Sequence, residues 1–228
     1  MQNLLYKYEV ITMKRFTSSL YLVTDRGLAK KPIEILVEEA IRGGVDCVQL
    51  REKNIATKHF VALAKTVKNI TIRYNVPLII NDRIDVALAV DADGIHLGQD
   101  DMPLTNARKL LPHKMIIGIT VSTINEAIEA QKGGADYIGA SPVFATPTKT
   151  DTAAPLGLEG LQEMNDAVTI PVVAIGGINL HNAEDVLLHG ADCLAVVSAI
   201  VCADNPCQAA ANLAAIIKKL RKSNHETE

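Results

Sequence analysis

Two carboxylates, Asp82 and Asp101, and two cations, Arg51 and Lys53, stand just beyond short apolar runs of this chain, while a third cation, Lys149, stands in its one long loop. Two carboxylates completed by waters and substrate phosphates form the usual shell of Mg²⁺, which makes the pair a candidate metal site. Both aspartates could instead cap helices and bind nothing, Asp101 in particular because Met102-Pro103 offers a proline suited to the first helical position. Spacing alone favours neither reading. Cations beside carboxylates point to a substrate with several negative charges, whose neutralisation a metal and basic side chains share. Taken singly, Arg51 and Lys53 would read as surface partners of Glu52, and Lys149 as a partner of Asp151.

What is missing narrows the chemistry. No Ser/His/Asp or Cys/His set falls among these positions, so covalent catalysis is not indicated. His96 is the only histidine inside an apolar run and has no second histidine at ligand spacing, which reads as a structural role. A polyanion site without an evident base suits a reaction in which pyrophosphate departs, not one in which a proton is removed.

The elements that must position these groups follow from an alternation. Short Val- and Ile-rich runs at 20–24, 47–50, 77–80, 94–97, 115–120, 137–141, 171–175 and 193–198 are mostly unbroken by polar residues. Strands buried on both faces of a parallel sheet read this way. Amphipathic segments at 32–41, 57–74, 84–89, 104–111, 124–131, 158–164, 183–188 and 206–220 separate them. A helix after each of eight strands is the count of an α/β (β/α)₈ TIM barrel. A weak repeat agrees: Gly44-Val45-Asp46, Ala92-Asp93-Gly94, Gly134-Ala135-Asp136 and Gly190-Ala191-Asp192 recur at Asp-to-Asp steps of 47, 43 and 56 residues, each spanning two strand–helix units. The expected organisation is an extension over 1–18, one barrel over 19–221 and a tail over 222–228.

On this frame the candidate residues share the C-terminal rim, where barrel enzymes carry their sites. Gly176-Gly177 follows the seventh strand and Val197-Ser198 the eighth, the usual barrel position for a phosphate held by backbone N–H groups and a helix N-terminus. The 228 residues suit a single core, and 48% hydrophobic against 21% charged excludes a disordered or disulfide-dense chain. A net charge of −3 gives no basic footprint for nucleic acid, and no run reaches the length of a membrane span. The opening segment lacks the pattern of a signal peptide, and the four cysteines form no C-x-x-C pair, which fits a cytoplasmic enzyme.

Gln-Leu-Arg-Glu-Lys (49–53), Ile-Asn-Asp-Arg (80–83), Gly-Ile-His-Leu-Gly-Gln-Asp-Asp (94–101), Thr-Pro-Thr-Lys (146–149), Ala-Ile-Gly-Gly-Ile (174–178) and Val-Val-Ser-Ala-Ile (196–200) together resemble the thiamine phosphate synthase family, in order and over nearly the whole chain. The resemblance implies a (β/α)₈ enzyme that joins hydroxymethylpyrimidine diphosphate to a thiazole phosphate, plain or carboxylated, and releases pyrophosphate. It implies that Gln49, Leu50, Arg51, Glu52, Lys53 and Asn81 hold the pyrimidine diphosphate, with Thr120 where the family usually has serine. Asp82 and Asp101 become ligands of one Mg²⁺ per subunit, and Arg51, Lys53 and Lys149 the catalytic cations, Lys149 also holding the diphosphate. Thr146, Pro147 and Thr148 fall in the thiazole-phosphate loop; Gly177, Val197 and Ser198 fall at the thiazole phosphate itself. Two departures stand out: Ala145 replaces a common proline, and Val121-Ser122 stands where Ala-His is frequent. A thiazole tautomerase on a similar barrel is the nearest rival, yet it would need an acid/base residue where Ser122 stands. A non-catalytic thiamine phosphate binder is the other alternative. The expected partners are small phosphorylated molecules, neither nucleic acid nor membrane, and a homo-oligomer is compatible with the sequence.

Overall fold

A computed structural model of the chain describes residues 16–146 and 154–225. Its strands are β1 (Leu20–Val23), β2 (Cys47–Leu50), β3 (Leu78–Asn81), β4 (Gly94–Leu97), β5 (Ile116–Val121), β6 (Tyr137–Ala140), β7 (Val172–Ile175) and β8 (Cys193–Val196). They pair in parallel and in chain order, and β8 returns to β1 with Leu22 opposite Val196, so the sheet closes and leaves no edge. The helices are α1 (Ile33–Arg42), α2 (Thr57–Arg73), α3 (Ile84–Ala89), α4 (Leu104–Leu110), α5 (Ile124–Lys132), α6 (Gly157–Ala167), α7 (Ala183–Leu188), α8 (Ser198–Val201) and α9 (Pro206–His225). The fold is the expected TIM barrel. Strand and helix ends differ from the sequence reading by a residue or a few, and α8 adds a single turn that the reading did not contain. No described helix is long and apolar enough to cross a membrane.

Alternation along each strand divides the core in two. Tyr21, Val23, Cys47, Ile79, Tyr137, Val173, Cys193 and Ala195 fill the barrel interior. Leu20, Leu22, Val48 and Leu50 point outward, into the layer formed with Leu36 and Val37 of α1 and Phe60 and Val67 of α2. Both faces are therefore dry, which is why the strands read as unbroken apolar runs.

The repeated Gly-x-Asp turns close the N-terminal rim. Carboxylate oxygens of Asp93, Asp136 and Asp192 accept the N–H of Leu78, Ile117 and Val172, each at 2.8 Å, and Asp46 accepts that of Leu20 at 2.9 Å. Each aspartate's own N–H returns to the carbonyl of the same residue, at 2.8–3.0 Å. Each even strand is thus latched to the odd strand before it by two hydrogen bonds around one aspartate. The turn needs a left-handed residue two positions earlier: Gly44, Gly134 and Gly190 take φ 110°, 86° and 92°, and where the second copy lacks glycine Asp91 takes φ 48°.

Phe16 closes the floor. It is 2% exposed and stacks on Tyr137 with ring centres 4.3 Å apart. Ser18 Oγ donates to the Asp46 carbonyl at 3.1 Å. The boundary expected after residue 18 thus falls inside this floor, and residues 16–18 belong with the barrel.

Candidate active site

The C-terminal strand ends open into a cavity of about 220 Å³. Its charged wall comes from β2, β3 and β4. Alternation past Gln49 sends Arg51 and Lys53 inward as well, whereas Leu50 and Glu52 face away and do not line the cavity. Lys53 Nζ lies 2.6 Å from Asp82 Oδ2, and Arg51 Nη1 lies 2.9 Å from Asp25 Oδ2. The Arg51 N–H donates at 3.0 Å to the buried hydroxyl of Thr24.

Asp82 holds φ 60°, a left-handed conformation that costs a non-glycine residue energy, and its N–H donates to the His96 carbonyl at 2.9 Å. That turn aims the carboxylate at Asp101, which β4 delivers from the neighbouring strand. Neither aspartate caps a helix: α3 and α4 start without a side-chain cap, and Asp101 Oδ2 instead accepts the Gly98 N–H at 2.7 Å. Burial would raise the Asp82 carboxyl, but hydrogen bonds with Lys53 and Asp101 outweigh it and hold the group below its ordinary value. Burial and the hydrogen bond with Asp82 push the Asp101 carboxyl up. The closeness of the two acids thus moves their carboxyls in opposite directions.

The opposite wall comes from the glycine turn after β7 and the start of α8. Gly176 and Gly177 take φ 105° and 67°, and a Cβ on Gly176 would stand 2.7 Å from that of Pro142. Asn179 and Asn182 fix this turn by donating their side-chain amides to the Gly177 carbonyl at 3.1 and 3.0 Å. Gly177, Val197, Ser198 and Thr146 all line the cavity, as do Asn81 and Thr120. Pro147, Thr148 and Lys149 lie outside the described residues.

Below the rim the cavity is floored by polar side chains that the sequence reading passed over. Tyr21 and Tyr137, buried inside the barrel, reach Gln49 and His96 in a continuous run of hydrogen bonds that ends at Thr120. His96 was expected to be structural; both its ring nitrogens bond to protein, and its ring lines the cavity. Gln99, part of the 94–101 motif but given no role there, donates at 2.6 Å to the Thr120 carbonyl. The signal for the tyrosines was strand parity: each lies at an inward position of its strand.

Glu52 behaves differently from its motif neighbours. Its side chain is 5% exposed, and Oε1 lies 3.4 Å from Arg26 Nη2, an ion pair without the geometry of a hydrogen bond. Burial pushes this carboxyl up, and the nearby Arg26 only partly offsets it.

Comparison with known proteins follows the same residues. The profile of the thiamine monophosphate synthase family matches residues 20–200. The thiamine-phosphate synthase of Albidiferax ferrireducens is 53% identical over 199 residues, covering 87% of this chain and 91% of that protein. The Clostridium novyi protein of the same name is 54% identical over 183 residues, 80% of this chain and 90% of its own. Among solved structures, a thiamine phosphate pyrophosphorylase from Pyrococcus furiosus superposes with a TM-score of 0.84 at 44% identity, covering 90% of this chain and 98% of that one. A 3-hexulose-6-phosphate synthase, at 18% identity and a TM-score of 0.63, shares the fold alone.

Proposed function

The chain belongs to the thiamine monophosphate synthase family, a transferase of thiamine biosynthesis, and from that premise we propose how its cavity carries the condensation. The pyrimidine diphosphate lies with its diphosphate against Arg51, Lys53 and the Asp82–Asp101 pair and its ring over Gln49, Asn81 and Thr120. The bond between the pyrimidine methylene carbon and the diphosphate oxygen breaks first, and the diphosphate leaves with the electron pair. The thiazole nitrogen then gives its lone pair to the methylene cation and forms the carbon–nitrogen bond of thiamine phosphate. No proton is removed at any point.

The Asp82–Asp101 pair fits Mg²⁺: its donors are hard oxygens, and no third acidic, imidazole or thiol ligand joins them among the described residues, leaving positions for water and diphosphate oxygens. When bound, the metal would supply charge against the leaving diphosphate. Arg51 and Lys53, fixed by Asp25 and Asp82, supply preorganised positive charge from the protein side, and the family resemblance adds Lys149. Backbone N–H groups around Gly177 and Val197, with the Ser198 hydroxyl, hold the thiazole phosphate and so orient its nitrogen. All four cysteines are free, which suits a reducing, cytoplasmic setting.

The observation that carries this reading is the facing of Asp82 and Asp101 with Lys53 2.6 Å away, a cluster built for a polyanion and its cation. The test is incubation with both substrates and Mg²⁺. Equal amounts of pyrophosphate and thiamine phosphate are expected, with none when either substrate is left out. Isomerisation of the thiazole alone would instead identify a tautomerase, and binding of thiamine phosphate without turnover a binder.

A further inference from the structure

Beneath the charged rim a single file of hydrogen bonds crosses the barrel interior. Gln49 Nε2 donates to the Tyr21 hydroxyl at 2.9 Å, that hydroxyl meets the Tyr137 hydroxyl at 2.9 Å, and Tyr137 meets His96 Nδ1 at 2.9 Å. His96 Nε2 meets Thr120 Oγ1 at 2.7 Å. Five side chains from β1, β2, β4, β5 and β6 thus form one line, and its two ends, Gln49 and Thr120, both face the cavity.

The chemistry of the donors gives the line a direction. A carboxamide nitrogen can only donate, so the Tyr21 oxygen must accept from Gln49. Tyr21 has one hydrogen of its own, and Tyr137 is the oxygen that stands ready for it. Tyr137, having accepted, has its own hydrogen to give, and His96 Nδ1, 2.9 Å away, takes it when bare. The neutral ring carries its proton on Nε2 and donates it to Thr120 Oγ1. The hydrogen of the Thr120 hydroxyl is left for the cavity, and at the other end so is the Gln49 carbonyl oxygen. Burial raises both phenols well above their ordinary value, so each keeps the one hydrogen the sequence of bonds requires. Phe16, stacked under Tyr137, covers the line from below.

We propose that Tyr21, Tyr137 and His96 are positioning residues: they lock His96 as the neutral Nε2–H form and thereby present Thr120 as a donor and Gln49 as an acceptor to the substrate ring. That pairing selects a nitrogen heterocycle bearing an amino group, whose ring nitrogen accepts from Thr120 and whose amine donates to Gln49. The assignment rests on the reading above that the pyrimidine lies over these residues.

Two measurements test it on the full chain. Two-bond proton–nitrogen correlations of the histidine rings, with His96 assigned by its loss in His96→Asn, should show a bare Nδ1 and a protonated Nε2. A protonated Nδ1, or a doubly protonated ring, would overturn the relay. In kinetics, Tyr137→Phe breaks the line without changing its shape, and it should raise KM for the pyrimidine diphosphate about tenfold, the size of one lost hydrogen bond, with kcat and the thiazole-phosphate KM within about twofold. Thr120→Val should do the same, Thr120→Ser should restore the parent value, and the double variant should cost no more than either single one. Additive effects, or a fall in kcat with KM unchanged, would sink the proposal. The tautomer is readable without turnover, so the outcomes separate. An active enzyme with protonated Nδ1 overturns the relay alone. The expected tautomer in a chain that releases no pyrophosphate supports the relay and overturns the synthase reading alone.

Discussion

At the N-terminal rim of the barrel Asp46, Asp93, Asp136 and Asp192 each accept a backbone N–H from the strand before them, whereas at the C-terminal rim Asp82 and Asp101 face one another across the mouth of a cavity. The residue type is the same and the environments are opposite. Below, every one of these carboxylates is spent on closing the sheet, and its removal would loosen the fold. Above, two carboxyl groups stand within hydrogen-bond reach of each other beside Lys53, one of them on a strained backbone, and neither closes the sheet. The fold is secured at one end so that the other can afford an unfavourable cluster.

Substitutions at the two ends should therefore separate activity from stability. Asp82→Asn and Asp101→Asn should each lower thiamine phosphate formation by about 10³-fold, the upper range for losing a preorganised electrostatic group, while the melting temperature stays put or rises. A parallel collapse of both would erase the contrast. Phe16→Ala should do the reverse and cost about 3 kcal/mol in denaturant unfolding, because it empties the floor under Tyr137. A chain begun at Met13 keeps that ring and should unfold like the full chain. Asp136→Ala leaves the Ile117 N–H without its acceptor, removes the ion pair with Arg108, and should cost about 2 kcal/mol, with kcat of the remaining folded enzyme unchanged.

Glu52 offers the smallest and sharpest test, because it is an upper-rim acid that serves no cation site. Its carboxyl titrates above the ordinary value in the folded state, so the stability it contributes is complete below pH 4.5 and is lost as pH rises through the raised value. Glu52→Gln fixes the uncharged form. The variant should gain on the parent as pH rises towards neutrality, because it never carries the buried charge, with the lost Arg26 pair offsetting part of the gain. A variant that loses ground over that range would show that the Arg26 pair outweighs burial.

Much of this contrast is legible in the residues themselves. The Asp-to-Asp steps mark the lower latches because each needs the same left-handed turn, and the buried apolar runs mark the strands because both their faces are dry. The rim motifs are contiguous and polar, so they stand out against those runs. What the chain conceals is direction. Within 49–53 the motif reads as one unit, yet alternation turns Gln49, Arg51 and Lys53 into the cavity and sends Leu50 and Glu52 away from it. Tyr21 and Tyr137 are lost among apolar neighbours for the same reason: a strand dry on both faces shows no polar alternation to reveal which side holds the ligand. Phe16 precedes the first run as a single residue, and the four-residue α8 is too short to carry a period of its own.

The four aspartate latches also make the barrel modular. Each binds an even strand to its odd predecessor through the same turn, so the molecule is built from four quarters closed in the same way. Because every latch lies at the end away from the chemistry, upper loops can lengthen, shorten or be exchanged between relatives without reopening the ring. Such an architecture lets new substrates evolve on an old closure, one quarter at a time.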